Sequence, residues 1–311
     1  MVKEPTVLRE SRPVLSNVDT AQVLVRSRGY WSTVAVRLKR DVLTLGFGVI
    51  LLAIILSAFF ANAIAPMDPE AAKMTRRLKD IGYTNTRTGD THWLGTDKLG
   101  RDMLSRLIHG SRMSLLMGVL PIVFAFAIGG ALGLIAGYAG GWGNMLIMRT
   151  MDIFYAFPSV LLAIAISGAL GVGIVNAIVA LTLVFIPPIT RVTESVTTQV
   201  RLLDYVDAAR SSGAGSLTII RVHIFSNIIG PVFVYATGLI SVCIILGAGL
   251  SFLGLGVEAG VAEWGRMLNE LQDAIWKVPW VTALPGASIF VTSLSFNMVS
   301  DGLRSAMDIR L

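Results

Sequence analysis

The chain has 311 residues, of which 54% are hydrophobic and 15% are charged, and its mean hydropathy is +0.69. These values exclude an ordinary soluble domain and predict an integral membrane protein. The net charge of +6 does not indicate nucleic-acid binding, because the basic residues are scattered through tails and loops without an aromatic-interleaved patch. Juxtamembrane charge at a lipid surface explains them better. The single cysteine, Cys243, leaves no intrachain disulfide to predict.

Residues 1–41 form a polar, basic N-terminal tail. Val34 and Leu38 fall on one face of a helix rich in basic residues, which predicts a short interfacial helix before the bilayer. The first apolar run begins only after Asp41 and no small-residue cleavage site follows it, so a cleavable signal peptide is not expected. Residues 42–65 carry no charge and are long enough to cross about 30 Å of hydrocarbon as the first transmembrane helix.

The polar segment 66–112 is predicted to be an insertion outside the membrane. A second span is expected over 114–138, followed by a glycine-rich turn at 140–144. The glycines at 129, 133 and 137 recur at every fourth residue and predict close packing against a neighbouring helix.

The uncharged stretch between Asp152 and Arg191 is too long for one crossing and contains Gly168, Gly171 and Gly173, which predicts a tight hairpin of two spans. Pro187 and Pro188 are expected to bend the second of them. The rest of the chain is predicted to contain two more spans, each preceded by a polar segment. The polar segment 191–227 precedes a fifth span over 228–250, and the acidic loop 251–278 precedes a sixth span over 280–300. Six crossings place both termini on one side, and the basic tail favours the cytoplasm.

One short stretch within the polar segment has the pattern of an isolated helix. Asp204 is expected to cap its first turn, Asp207 adds negative charge near the positive end, and Gly213 suits the left-handed residue that ends a helix. About two turns of helix are marginal alone in water, so this helix is expected to dock against another protein, with Ala208 and Ala209 as a narrow ridge.

Three separated blocks resemble the inner-membrane permease subunits of binding-protein-dependent ABC importers, specifically the C-type subunit of the dipeptide, oligopeptide and nickel group. The first block is Asp207-Ala208-Ala209 with Gly213, which is similar to the cytoplasmic loop signature of the family, with Asp for the usual Glu and Ser226 where a proline is usual. The second runs from Leu94 to Arg112, and the third is Ser251–Gly256 followed by Glu263-Trp264-Gly265.

The resemblance implies an all-α membrane protein with the type I ABC importer permease fold, six transmembrane helices and both termini cytoplasmic. It divides the chain into the N-terminal tail 1–41, the first helix 42–65, the extracytoplasmic insertion 66–112, the permease core 113–303 with its coupling loop 191–227, and the C-terminus 304–311. It also implies a coupling helix that contacts a cytoplasmic ATPase through these residues: Asp204, Tyr205, Val206, Asp207, Ala208, Ala209, Arg210 and Gly213.

The implied partners are a homologous second permease, two cytoplasmic ATPase subunits, an extracytoplasmic substrate-binding protein and membrane lipid. The chain contains no phosphate-binding Gly-Lys-Ser/Thr loop, so no cofactor is expected in it, and ATP and Mg²⁺ are expected in the ATPase subunits. The expected function is import of di- or oligopeptides or a related small polar solute, with no catalysis by this chain and no assigned substrate-path residues.

Two other functions stay open at this point. An ion-driven secondary transporter acting alone would need ionisable residues at mid-depth, and none is expected well inside a span. The second alternative is a scaffold that binds the ATPase without transport.

For the charged block 94–112, bracing of the bundle mouth by a solvated, self-paired helix face is favoured over contact with the binding protein. Histidines 92, 109 and 223 are isolated and predict no metal site.

Overall fold

The computed structural model describes residues 30–86 and 89–307, which form an almost entirely helical chain. The first four helices are α1 (Tyr30–Arg40), α2 (Val42–Phe59), α3 (Ala61–Ile64) and α4 (Met103–Ala139). The middle of the chain contains α5 (Gly141–Tyr155), α6 (Ser159–Leu170), α7 (Ile174–Arg201), α8 (Asp204–Ser211) and α9 (Ser216–Thr218). A π-helical segment (Ile219–Ile224), α10 (Phe225–Phe252), α11 (Trp264–Leu271) and α12 (Pro279–Met307) follow.

Five helical stretches among the described residues are long and apolar enough to span a membrane, namely α2, α4, α7, the continuous stretch Ser216–Phe252 and α12. Helices α5 and α6 form a sixth such stretch if they count as one span, and they are bent by 88° relative to each other. The predicted all-helical, multi-spanning fold is thus confirmed. The predicted interfacial helix is also helical, as α1, whereas residues 1–29 of the tail and 308–311 of the C-terminus lie outside the described residues.

Helix α4 is longer than predicted. It begins at Met103 because the Asp102 carboxylate accepts a hydrogen bond from the Ser105 backbone N–H at 2.8 Å and caps the helix. It ends at Ala139, and the next residue, Gly140, has a φ of +63°, which favours glycine. The expected turn over 140–144 is wrong in its extent, because α5 already begins at Gly141.

The first of the two spans predicted for the hairpin is broken into helices α5 and α6. The predicted hairpin turn is confirmed at Gly171 and Gly173, where the Gly173 N–H donates to the Gly256 carbonyl at 2.9 Å. Helix α6, however, has 12 residues and a length of about 18 Å, too short to cross alone. Pro158 explains the break before it, since proline has no N–H and disfavours a helical conformation of the preceding residue.

Helices α4 and α7 pack closely along the predicted glycine stripe. A Cβ atom on Gly133 would lie 2.4 Å from the Thr190 carbonyl oxygen, and one on Gly137 would lie 2.6 Å from Cβ of Thr197. Only glycine allows this approach, so the predicted close packing is confirmed and its partner is α7. Helix α7 continues through both internal prolines as far as Arg201.

The polar insertion folds onto the end of the bundle where α4 begins. Its strands β1 (Tyr83–Thr84) and β2 (Thr91–His92) form an antiparallel hairpin. Met103 of α4 is fully buried there against apolar side chains of α11 and α12, including Met267 and Val281. Helix α8 lies at the opposite end, beyond the end of α7.

Candidate functional site

Helix α8 has the predicted length of about two turns, but it begins one residue earlier than expected. Leu203 occupies the N-cap position without a side-chain hydrogen bond, and its carbonyl accepts from the Val206 N–H at 2.9 Å. The prediction that Asp204 caps the helix is therefore wrong, since Asp204 is already the first helical residue. Asp204 and Asp207 both lie in the first turn, where negative charge interacts favourably with the helix dipole.

The end of α8 is a complete Schellman motif centred on Gly213. The Gly213 N–H donates to the Arg210 carbonyl at 3.0 Å, and the Ala214 N–H donates to the Ala209 carbonyl at 3.1 Å. Gly213 has a φ of +86°, which confirms the predicted left-handed residue. The chain therefore turns sharply after α8 and enters the next helix within three residues.

A single buried side chain holds α8 against the bundle. Val206 has no exposed surface and packs with Ile219, Ile224 and Ile228, which follow it in the chain. Tyr138 at the end of α4 and Val200 at the end of α7 border the same cluster. Val206 therefore anchors the helix and does not present a contact surface, unlike the other residues predicted for this site.

The remaining side chains of α8 point outward. Tyr205 is 42% exposed, and its hydroxyl accepts a hydrogen bond from the Asn227 amide at 3.2 Å. Asp207 and Arg210 form an exposed ion pair at 2.9 Å, which stabilises the helix little. Ala208 is exposed and Ala209 is half-buried, so the predicted ridge of small residues is accessible along part of its length.

Three exposed leucines near the two ends of α8 were not predicted from the sequence. Leu202 is 68% exposed, Leu203 is 46% exposed and Leu217 is 78% exposed. We use the term α8 surface for these three leucines together with Tyr205 and Ala208. Leu202 and Leu203 directly precede α8, and clustered exposed apolar side chains are typical of interaction sites. One signal in the sequence could have predicted this surface. Leucines lie on both sides of a polar stretch, in a segment that is too short and too polar to span a membrane.

Side-chain contacts fasten the neighbouring helix ends to one another. The Arg201 guanidinium donates to the Tyr138 carbonyl at 2.7 Å and so ties the end of α7 to the end of α4. The Asn144 amide of α5 donates to Glu194 of α7 at 2.6 Å and to the Ala136 carbonyl of α4 at 3.3 Å. A displacement of α8 therefore acts on three joined helices.

The charged block at the far end of the bundle is a buried network. The Asp97 carboxylate contacts Nε of Arg101 and Nη1 of Arg106, each at 2.6 Å, and Arg101 also contacts Glu270 near the end of α11 at 2.7 Å. The network joins the start of α4 to α11, which agrees with the predicted bracing of this end of the bundle. The expected solvated face is wrong, since Arg106 is 1% exposed and Asp97 is 2% exposed.

A second carboxylate in this region caps α11. Glu263 is almost fully buried and accepts from the backbone N–H groups of Gly265 and Arg266 at 2.8 Å, and from the Ser114 hydroxyl of α4 at 3.1 Å. Burial raises the pKa of Glu263, and these hydrogen bonds oppose the rise. The Trp264 indole N–H donates to the Leu107 carbonyl at 3.0 Å and completes the attachment of α11 to α4.

The three histidines occupy separate places. His92 is buried and pairs with Asp102 at 2.9 Å, His109 contacts Asn62, and His223 lies beside Tyr205 near α8. Within 30–86 and 89–307, no group of three or more histidine, cysteine or acidic side chains is arranged to hold a metal ion.

Together these features define a class, a multi-pass membrane subunit whose helical bundle presents a short anchored helix between two long helices. The chain belongs to the family described as binding-protein-dependent transport system inner membrane component, whose pattern matches residues 129–311. A second pattern, the N-terminal transmembrane domain of oligopeptide transport permease C, matches residues 29–83. The protein is thus a permease subunit of an ABC importer in the inner membrane.

Curated relatives are similar over most of their length. The glutathione transport system permease protein GsiD of Pectobacterium atrosepticum is 38% identical over 284 residues, covering 91% of this chain and 91% of the relative. The di/tripeptide transport system permease protein DppC of Pseudomonas aeruginosa is 41% identical over 271 residues, covering 86% and 88%. Both are transport permeases.

Among solved structures, an inward-facing MetNI methionine ABC transporter matches with a TM-score of 0.54 and 20% identity. The match covers 66% of this chain and 97% of that chain. It establishes that this chain has the fold of an ABC transporter membrane component.

Proposed function

We propose that this chain pairs with a homologous permease, imports di- or oligopeptides delivered by an extracytoplasmic binding protein, and contacts a cytoplasmic ATPase subunit through the α8 surface. The α8 surface is the observation that carries the proposal. It combines exposed leucines and a small-residue ridge with a helix held firmly by Val206 and Gly213. Such a rigid, partly apolar projection fits a cleft on another protein.

The proposed topology places α8 and both termini in the cytoplasm and the charged network around Asp97 outside. ATP and Mg²⁺ are bound by the two ATPase subunits, whose closure moves α8 as a rigid body and opens the permease pair outward. Hydrolysis then resets the pair. The peptide substrate is supported by the relatives, whose names specify glutathione and di- or tripeptides, all short peptide-like solutes.

The contact with the ATPase is tested by changing the exposed ridge. Ala208→Arg should prevent the ATPase subunits from co-purifying and should abolish ATP-driven uptake of a labelled tripeptide, because a long charged side chain cannot enter a cleft shaped for alanine. Ser305→Arg on α12, where the native side chain is also exposed, should leave both intact. Normal co-purification of Ala208→Arg would refute the assigned contact.

The rival function is an ion-driven carrier acting alone. The chain reconstituted without ATPases should carry no tripeptide under a proton or sodium gradient, whereas the complete importer should do so with ATP. Gradient-driven transport by the lone chain would refute the importer mechanism. Deletion of this chain should abolish tripeptide uptake while the other subunits remain at normal levels. That result excludes a scaffold that binds the ATPase without transport.

A further inference from the structure

A cavity of about 360 Å³ lies beside the bend between α5 and α6. We call it the elbow cavity. Aromatic side chains near the bend, including Tyr155 and Phe157, line one wall, Pro187 and Pro188 of α7 line the second, and Tyr235 of α10 lines the third. Both prolines and Tyr235 fall near the middle of 28-residue helices, so the cavity lies near mid-depth in the bundle.

The walls of the elbow cavity carry backbone and hydroxyl groups without helical or side-chain partners. Pro188 has no N–H, so the Val184 carbonyl, which belongs to a lining residue, has no donor four residues further along. Across the described part of the chain, the hydroxyls of Tyr155 and Tyr235 make no hydrogen bond to another residue. Polar groups at membrane depth are costly unless they are paired or line a wet path.

A pair of opposite charges lies beside Tyr155, one of the residues that line the cavity. The Arg191 guanidinium lies 2.6 Å from the Asp152 carboxylate and 4.8 Å from the centre of the Tyr155 ring. Both charged side chains remain accessible, with exposed fractions of 47% and 40%. Arg191 lies within α7, one of the helices long enough to cross a membrane, so the expectation of no ionisable residue inside a span does not hold for α7.

We propose that the elbow cavity is the part of the solute path in this subunit that binds the peptide backbone during translocation. Peptide N–H groups donate to the Val184 carbonyl, the tyrosine hydroxyls contact peptide carbonyls, and the accessible Arg191 guanidinium beside Tyr155 faces the peptide carboxylate. The aromatic rings accept varied side chains without specific hydrogen bonds. This inference rests on the proposed peptide substrate.

The first test removes one hydroxyl from the complete importer in proteoliposomes. Tyr235→Phe should lower the rate of tripeptide uptake by roughly threefold to tenfold, the scale of one neutral hydrogen bond. Tyr83→Phe, the same change in the hairpin of the insertion, should have no effect. A normal uptake rate for Tyr235→Phe would exclude the hydroxyl contact.

The second test measures occupancy of the cavity directly. Ser159 lines the cavity, whereas its exposed neighbour Val160 does not, and the native Cys243 is fully buried. In importers carrying Ser159→Cys or Val160→Cys, modification by a charged thiol reagent is followed during turnover. Adding the peptide-loaded binding protein should slow modification of Ser159→Cys severalfold and leave Val160→Cys unchanged.

The outcomes separate the two proposals. If the unaltered importer takes up tripeptide but peptide shields neither cysteine, the elbow cavity is not the binding place and the proposed function stands. If both cysteines are shielded equally, the effect is a general closure and the inference also fails. If the unaltered importer takes up no peptide, the proposed function fails, and the inference fails with it.

Discussion

Replacing Gly213 by valine perturbs the end of α8 without any steric clash. The φ of +86° lies in the left-handed region, yet no atom lies within 4 Å of the position that a Cβ would take. The whole penalty is therefore conformational, and for a non-glycine residue it is about 1–2 kcal/mol. That penalty lowers the ratio of native to non-native conformations at the end of α8 by about fivefold to thirtyfold. We expect uptake per ATP hydrolysed to fall, while membrane insertion stays normal.

The assay measures tripeptide uptake and ATP hydrolysis in the same proteoliposomes, with two comparison variants. Gly215→Val makes the same change two residues further on, where φ is −68° and the space is equally open, so it should remain coupled. Gly213→Asn should retain most of the function, since asparagine tolerates the left-handed region. Equal coupling in Gly213→Val and Gly215→Val would refute the reasoning.

Two further predictions concern packing at each end of the bundle, and both are checked by thermal melting in detergent. Gly133→Ala should destabilise the protein by about 1–3 kcal/mol, because its Cβ would lie 2.4 Å from the Thr190 carbonyl oxygen, whereas Gly130→Ala enters open space and should be neutral. Asp97→Asn removes one of the two carboxylates that pair with the buried Arg101 and Arg106 and should cost about 3 kcal/mol, the low end for breaking a buried pair, because Glu270 still contacts both. Asp273→Asn, in an exposed pair, should cost about 1 kcal/mol or less. Equal melting temperatures within either pair would contradict these assignments.

The features that the sequence predicted correctly are those set by local backbone chemistry. A left-handed residue after a short helix, a glycine stripe every fourth residue and a glycine turn between two apolar runs each depend on a few neighbouring residues. Gly213, Gly133 and Gly171 therefore matched their predicted roles.

The features that could not be predicted from the sequence depend on partners far away in the chain. Arg101 looked like part of a solvated face because its partner, Glu270, is 169 residues away. Val206 looked like one more residue of the α8 contact face because the isoleucines that bury it belong to the following helix. The bend at Pro158 was missed because a single proline in an apolar run carries a weaker signal than a charge or a glycine cluster.

Helix α7 connects the two functional regions that we propose. Its last residue, Arg201, is tied to the end of α4 beside the α8 anchor, and its central prolines line the elbow cavity. The glycine stripe of α4 packs along α7 over the intervening turns, so the two helices resist sliding past each other. In the proposed mechanism, a rigid displacement of α8 moves the proline wall together with the ends of α4 and α5, to which α7 is tied. The 88° bend between α5 and α6 separates the tied end of α5 from the part of α6 that packs on α7, so it is where we expect the cavity to change shape.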